Sequence, residues 1–540
     1  MSLRNRLALP MILSALAVLA GCGSSNSSNP VPPPSGAFSN SNLNGTYVFS
    51  VSGTDLNGAP YAIVGAFTAS GSGGNGTGSI TGGTIDLNDP GVPTIASNVS
   101  ISNNSTYTVG QDGRGQATLG TSTAFGTITL DFVLQDSSHG LVTEFDGNGS
   151  GSGTLDIQTA GTSAAGPYAF IFSGTDVSSG TVALFSTVGN FTVGTSGAIA
   201  GLEDFNDNEF AYANQALSGQ VLPGPASTPA TTLVTTQFGT QTYDVYAISA
   251  THLKFIEMDA TATLSGDAYS QTSTTVPTGT LAFTLTGSFP ASATPSAAGG
   301  FMVTDGAGNI TSASTEDANN GGSVSNSPLI FTGTYTAAGI GRFTLGFTSF
   351  SAGSGYVAYP SSAGLLLLEI DDGGIMAGVA YPPQTSGATF NGSAGYGLNF
   401  SGINLVDNVE VDDIAEFASN STGATVTGIV DENFAPGGFT NFGLALNGNY
   451  TAPDTNGRGQ IAANAGNSSN STLNGGFGIS FYTVDGTTFP FIETDANGQV
   501  ATGVFFEQDP TASASTAAAR THMFVVRPSI QPHTAHWRRK

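Results

Sequence analysis

Near the end of each of four blocks of the 540-residue chain, an apolar strand carries a glutamate and an aspartate two residues apart. The copies read Val142-Thr143-Glu144-Phe145-Asp146, Phe255-Ile256-Glu257-Met258-Asp259, Leu367-Leu368-Glu369-Ile370-Asp371 and Phe491-Ile492-Glu493-Thr494-Asp495. Residues i and i+2 of a strand share a face, so each pair projects both carboxyls one way while Phe145, Met258 or Ile370 point the other. Two carboxyls on one face are what a glycosidase uses, at about 5–5.5 Å for retention or about 6.5–9.5 Å for inversion. They are also what a structural ion pair uses. Arg114, Arg342 and Arg458 each follow a tyrosine strand, and they are three of only four basic residues between Gly23 and Asp509. The fourth, Lys254, lies three residues before Glu257 in the block that has no such arginine. The pattern predicts that each cation holds its own module's glutamate: Arg114 with Glu144, Lys254 with Glu257, Arg342 with Glu369 and Arg458 with Glu493. Breaking a buried pair of this kind costs about 3–5 kcal/mol.

Glu369-Ile370-Asp371 resembles the start of the Glu-x-Asp-x-(x)-Glu strand of laminarinase-type glycoside hydrolases. Asp372, Gly373 and Gly374 stand where the closing glutamate belongs, and no other copy supplies one. Asp146-Gly147-Asn148-Gly149-Ser150-Gly151 resembles the opening of an EF-hand loop, which implies calcium on Asp146, Asn148 and Ser150. Its twelfth position is Ile157 rather than the bidentate glutamate, and glycine and aspartate also serve ordinary turns. Nucleophile arrangements give nothing. No Gly-x-Ser-x-Gly elbow with a nearby histidine stands out, His139 and His252 occupy equivalent turns, and the other three histidines follow Arg520. No catalytic residue and no cofactor other than calcium is expected.

Composition narrows the classes further. The 11 Lys+Arg against 37 Asp+Glu give a formal net charge of -26, which repels the phosphates of a nucleic acid. One cysteine excludes an internal disulfide framework. Hydrophobic residues at 39% are enough for several cores, and 75 glycines point to turns and bent strands. The excess acid reads as an acidic surface that aids solubility.

The elements that position these residues repeat. The four glutamates recur 113, 112 and 124 residues apart, and each block ends on a glutamine, Gln158, Gln271, Gln384 or Gln508. Each opens on an alternating strand that runs to Gly53, Gly174, Gly287 or Gly402, and each contains an Asp-x-Asn: Asp86/Asn88, Asp204/Asn206, Asp317/Asn319 and Asp431/Asn433. Such a period is a domain, not a solenoid rung. Four all-β modules are predicted over 38–159, 160–272, 273–385 and 386–509. Each is an antiparallel meander of seven or eight strands, closed as a small β-barrel or, alternatively, packed as a two-sheet β-sandwich.

The chain's start supplies an address. Arg4 and Arg6 precede an apolar stretch and then Leu19-Ala20-Gly21-Cys22, which resembles the lipobox of bacterial lipoproteins. The resemblance implies a signal peptide over 1–21, lipidation of Cys22, a Ser/Asn/Pro-rich tether over 22–37 and a lipid-anchored place in the cell envelope, at the outer membrane or cell surface. The landmarks are similar to those of uncharacterised repeat-containing surface lipoproteins. This implies a non-enzymatic binding, adhesion or structural role, with binding of a small ligand or polysaccharide as the alternative and a secreted hydrolase as a third. The membrane is the partner expected through the anchor, with a glycan or protein beyond it. The tail over 510–540 gathers five of the eleven basic residues and the only tryptophan, Trp537.

Overall fold

Alternation decides the architecture. In the first module β1 (Asn44–Asp55) buries Tyr47, Phe49 and Val51 on one side and turns Val48, Ser50 and Ser52 to the other. The remaining strands are β2 (Pro60–Ser70), β3 (Gly78–Asn88), β4 (Ala96–Ile101), β5 (Thr106–Val109), β6 (Arg114–Gly120), β7 (Thr127–Leu134), β8 (His139–Glu144) and β9 (Gly149–Ile157). Every pairing is antiparallel. β1 lies between β2 and β9, and β2 pairs with β3. The far edge of β3 carries both β4 and β5, which are therefore two pieces of one broken strand. The sheet returns through β6, β7 and β8 to β9, closing an eight-stranded barrel without free edges. This computed structural model describes residues 38–512. Excepted are 75, 91–94, 122–125, 160–164, 177–182, 208–209, 223–229, 237–238, 290–293, 326, 372, 386–388, 467–475 and 497. Cys22, the signal and tether segments and the tail from 513 lie outside the described residues.

The other three modules repeat the plan. Strands from Gly166–Asp176 to Ala262–Ser270, and from Gly395–Asn404 to Gln499–Glu507, form closed eight-stranded barrels. The third module, from Gly279–Phe289 to Ile375–Ala380, closes in the same way with its fourth strand broken into Ser323–Val324 and Leu329–Ala337. Each sheet stays within one of the four expected modules. First and last strands are hydrogen-bonded in every one, which settles barrel over sandwich. The glycine that ends each opening strand marks that join. A Cβ on Gly53, Gly174 or Gly287 would sit 1.9, 1.8 or 1.7 Å from a carbonyl oxygen of the last strand, so no side chain fits there.

Barrel interiors are filled. Tyr47, Phe49, Phe67, Tyr107 and Phe132 pack inside the first, and Phe400, Phe417, Phe481, Phe489 and Phe505 inside the fourth. Residues facing outward build a second set of cores between barrels. Val48, Ala62 and Val64 of the first meet Tyr246, Ile248 and Ile256 of the second. Ile171 and Val188 of the second meet Val357, Leu366 and Leu368 of the third. Ala297 of the third meets Ile492 and Val500 of the fourth. Val133 and Leu141 of the first meet Ile414, Val504 and Phe506 of the fourth. One head-to-tail contact made four times thus returns to its start, and a heterologous interface that closes makes a ring.

Candidate functional site at the seams of the ring

The Asp-x-Asn copies lie near the end of the third strand of each barrel, with both side chains on its outer face. There each asparagine bridges two backbone carbonyls of the next module, at either end of the loop that follows the Glu-x-Asp strand. Asn88 Nδ2 donates to Glu257 O and Ala262 O, both at 2.9 Å. Asn206 donates to Glu369 O at 3.1 Å and Gly374 O at 2.8 Å. Asn319 donates to Glu493 O at 3.2 Å and Gln499 O at 2.8 Å. Asn433 completes the circuit, donating to Glu144 O at 2.6 Å and Gly149 O at 2.8 Å in the first barrel. The closing glutamines form a second circuit. Gln158 donates to Ala247 O at 2.7 Å, Gln271 to Pro360 O at 3.0 Å, Gln384 to Thr483 O at 3.1 Å and Gln508 to Leu134 O at 2.9 Å.

The arginines correct the sequence expectation. None holds its own module's glutamate; each reaches the aspartate of the preceding barrel. Arg342 Nε and Nη2 donate to Asp204 at 2.8 and 2.6 Å, and Arg458 Nε and Nη2 donate to Asp317 at 2.7 and 2.8 Å. Arg114 Nη1 donates to Asp431 at 2.7 Å, and its Nε to Asp112 at 3.1 Å. Lys254 bonds Asp267 at 2.9 Å rather than Glu257. The reason is direction. Glu144, Glu257, Glu369 and Glu493 share the inward side with the barrel cores, whereas the cations leave from the outer wall.

Inside, each glutamate meets the aspartate two residues on. Tyr61 Oη donates to Glu144, and Thr261 Oγ1 donates to Glu257 at 3.0 Å. Burial first, and then the Asp259 charge, pushes Glu257 up to about 9. Burial and the contact with Asp371 push Glu369 up to about 10. Glu144 and Glu493 are likewise held well above the usual range by burial and by Asp146 and Asp495. A neutral carboxyl therefore faces an aspartate whose own job is to latch a turn. Asp146 accepts from Thr129 N and Asn148 N, Asp259 from Thr242 N and Thr261 N, and Asp371 from Ser354 N, Gly355 N and Gly373 N.

Two of the three calcium candidates, Asp146 and Ser150, have other partners. Ser150 turns its hydroxyl across the seam to Asp412 Oδ2 at 2.8 Å and Asn433 O at 3.0 Å, away from Asp146. Among the described residues no group of three or more His, Cys, Asp or Glu is placed to hold a metal. The acidic surface is also corrected, since at least 22 of the 37 acidic residues are buried.

Sequence reading missed the hub. Barrels one, two and four meet around a cavity of about 30 Å³, lined by Ser50, Ser52, Thr154, Lys254, Asp267 and Asn399 among others, room for about one water. His252 Nε2 shares Asp267 Oδ1 with Lys254, at 2.6 Å, and His139 Nδ1 contacts Asp156 at 2.7 Å. The equivalent turns of the two histidines were the available signal.

No family model and no curated protein matches the chain. Among solved structures, a mutant of the vaccine antigen transferrin binding protein B from Haemophilus parasuis is 12% identical, covering 68% of this chain and 81% of that one, with a TM-score of 0.17. A likeness at that score says nothing about the ring or its use.

Proposed function

We propose that this chain is a non-enzymatic lipoprotein of the bacterial envelope, anchored through Cys22, whose ring of barrels serves as a rigid platform for binding or adhesion. One observation carries the reading: the recurrent polar residues are spent on structure, the Glu-x-Asp pairs on latching turns inside the barrels and the others on joining modules. Asn88, Asn206, Asn319 and Asn433 bond backbone across seams, and the arginines bond seam aspartates. With aromatic side chains filling the barrels, the small-ligand alternative moves from the interiors to the rim of the second barrel, on the side of the interior Phe205. Phe210 and Tyr212 are 67% and 42% exposed on the strand Phe210–Leu222, with Tyr212 stacked on Phe205 at 4.7 Å. Flat aromatic faces of this kind suit a polysaccharide.

The test has two arms. Labelled palmitate should attach to the full-length protein in the cell and be lost in Cys22→Ser. An array of glycans and envelope components should retain the mature protein, with retention reduced at least tenfold in Tyr212→Ala. Absence of lipid, or turnover of an arrayed polysaccharide, contradicts the reading.

A further inference from the structure

The four seams share one plan, but only one of them lacks the arginine. Asp204, Asp317 and Asp431 each receive an arginine from the next barrel. Asp86, their counterpart in the first barrel, receives none, because the second barrel lacks the arginine. Tyr246 Oη donates to Asp86 Oδ2 at 2.7 Å and Asn98 N to Oδ1 at 2.5 Å. The group added here is a second acid. Asp244 stands opposite Ile256 in its ladder, the place of Val357 in the third barrel, Ser480 in the fourth and Asp131 in the first, where Arg114 meets the facing Asp431. Asp86 and Asp244 are both buried, and Ser97 Oγ donates to Asp244 Oδ2 at 2.8 Å. Lys254 pairs across the ladder with Tyr246 but bonds Asp267, which His252 also holds.

We propose that the seam between the first and second barrels is a pH-operated gate. With Asp86 protonated, a carboxyl–carboxylate contact with Asp244 keeps it shut; with Asp86 ionised, two like charges in a dry interface part it while the seams closed by Arg342 and Arg458 hold. Geometry supplies the asymmetry, and electrostatics supplies the range. Burial, and after it the Asp244 charge, raise Asp86 from 3.8 to about 7. A carboxyl raised in the closed state favours closure below its ordinary range and loses that contribution as pH rises through the raised value. Parting would expose Val48, Ala62, Val64, Tyr246, Ile248 and Ile256 and open the hub from the side of Ser50 and Ser52.

Each seam carries its own reporter amide. Thr159 N donates to Ile248 O at 2.7 Å across the gate, Ser362 N to Ser270 O at 2.9 Å between barrels two and three, and Thr385 N to Val484 O at 3.1 Å between three and four. Hydrogen exchange of the full chain, corrected for intrinsic rate, is to be compared at pH 5.5 and 8.5. The opening constant at Thr159 should rise roughly 30-fold, the factor that a shift from 3.8 to about 7 gives over this interval. Ser362 and Thr385 should change less than about threefold, and Asp86→Asn should flatten the response at Thr159. Where Asp86→Asn folds poorly, Asp244→Ser, which copies the fourth barrel, should reduce the rise at least fivefold. Equal responses at all three amides, or a rise that survives Asp86→Asn or Asp244→Ser, would overturn the gate.

Discussion

The seam between barrels one and two and the seam between two and three bury the same motif against the same strands, yet they solve the charge problem in opposite ways. At the second, Asp204 is buried against a bidentate guanidinium, with Tyr359 and the Asn214 amide filling its remaining acceptor positions. At the first, Asp86 has a tyrosine and an amide but its nearest charge is another carboxylate. A buried anion with a matched cation tolerates pH; a buried anion facing its like does not. The lesson is that a repeat can conserve contact geometry while varying the condition under which the contact holds.

Removing the cation sharpens the comparison most. Arg342→Ala leaves Asp204 buried and uncompensated, and chemical denaturation should register a loss of about 3–5 kcal/mol. A loss below about 1 kcal/mol would make the two seams equivalent and break the contrast. The next effect is global. Glu257 and Glu369 keep their protons up to about 9 and about 10 in the folded chain, where the unfolded chain has released them. Their contribution is therefore complete below the ordinary glutamate range and is lost as pH rises through those values. The melting temperature should fall from pH 5 toward pH 9, and Glu257→Gln should reduce the fall. At the acid end Asp267 acts in reverse: burial would raise it, but Lys254 and His252 hold it below the ordinary range, so its share disappears below pH 4.

Smaller changes separate the shared plan from the charge difference. Asn88→Ala and Asn206→Ala each remove two bonds to buried carbonyls and should each cost about 1–3 kcal/mol, the same at both seams. A difference between them larger than the effect itself would show that the seams differ in more than their cations. Asp112→Ala removes the partly exposed second partner of Arg114 and should cost no more than about 1 kcal/mol. A larger loss in denaturation would place the fourth–first seam on Asp112 rather than on Asp431.

Much of this architecture was legible in the chain. Alternation gave strand positions, and Gly53, Gly174 and Gly287 marked where two backbones come too close for a side chain. Recurrent Glu, Asp-x-Asn and Gln marked four repeats, and each holds one barrel. The destination of those side chains was hidden. A repeat shows that Arg342 has an equivalent partner in each copy, but not whether the partner lies in its own copy or the one before. Nearness in sequence favoured Glu369, and the wall of the barrel separates them. The same blindness turned the acid excess into a surface property, since composition does not say that Asp204 is capped by Arg342 or that Glu369 is neutral. Nor does the EF-hand-like stretch reveal that Ser150 bonds Asp412 across the seam.

The claim on which the rest stands is that the fourth barrel returns to the first. Arg114 and Asp431 are 317 residues apart and touch at 2.7 Å only if it does. A double-mutant cycle of Arg114→Ala and Asp431→Ala, read by denaturation of the full chain, should give a coupling of about 1–3 kcal/mol. Strict additivity of the two losses would mean that the barrels form an open string, with no ring.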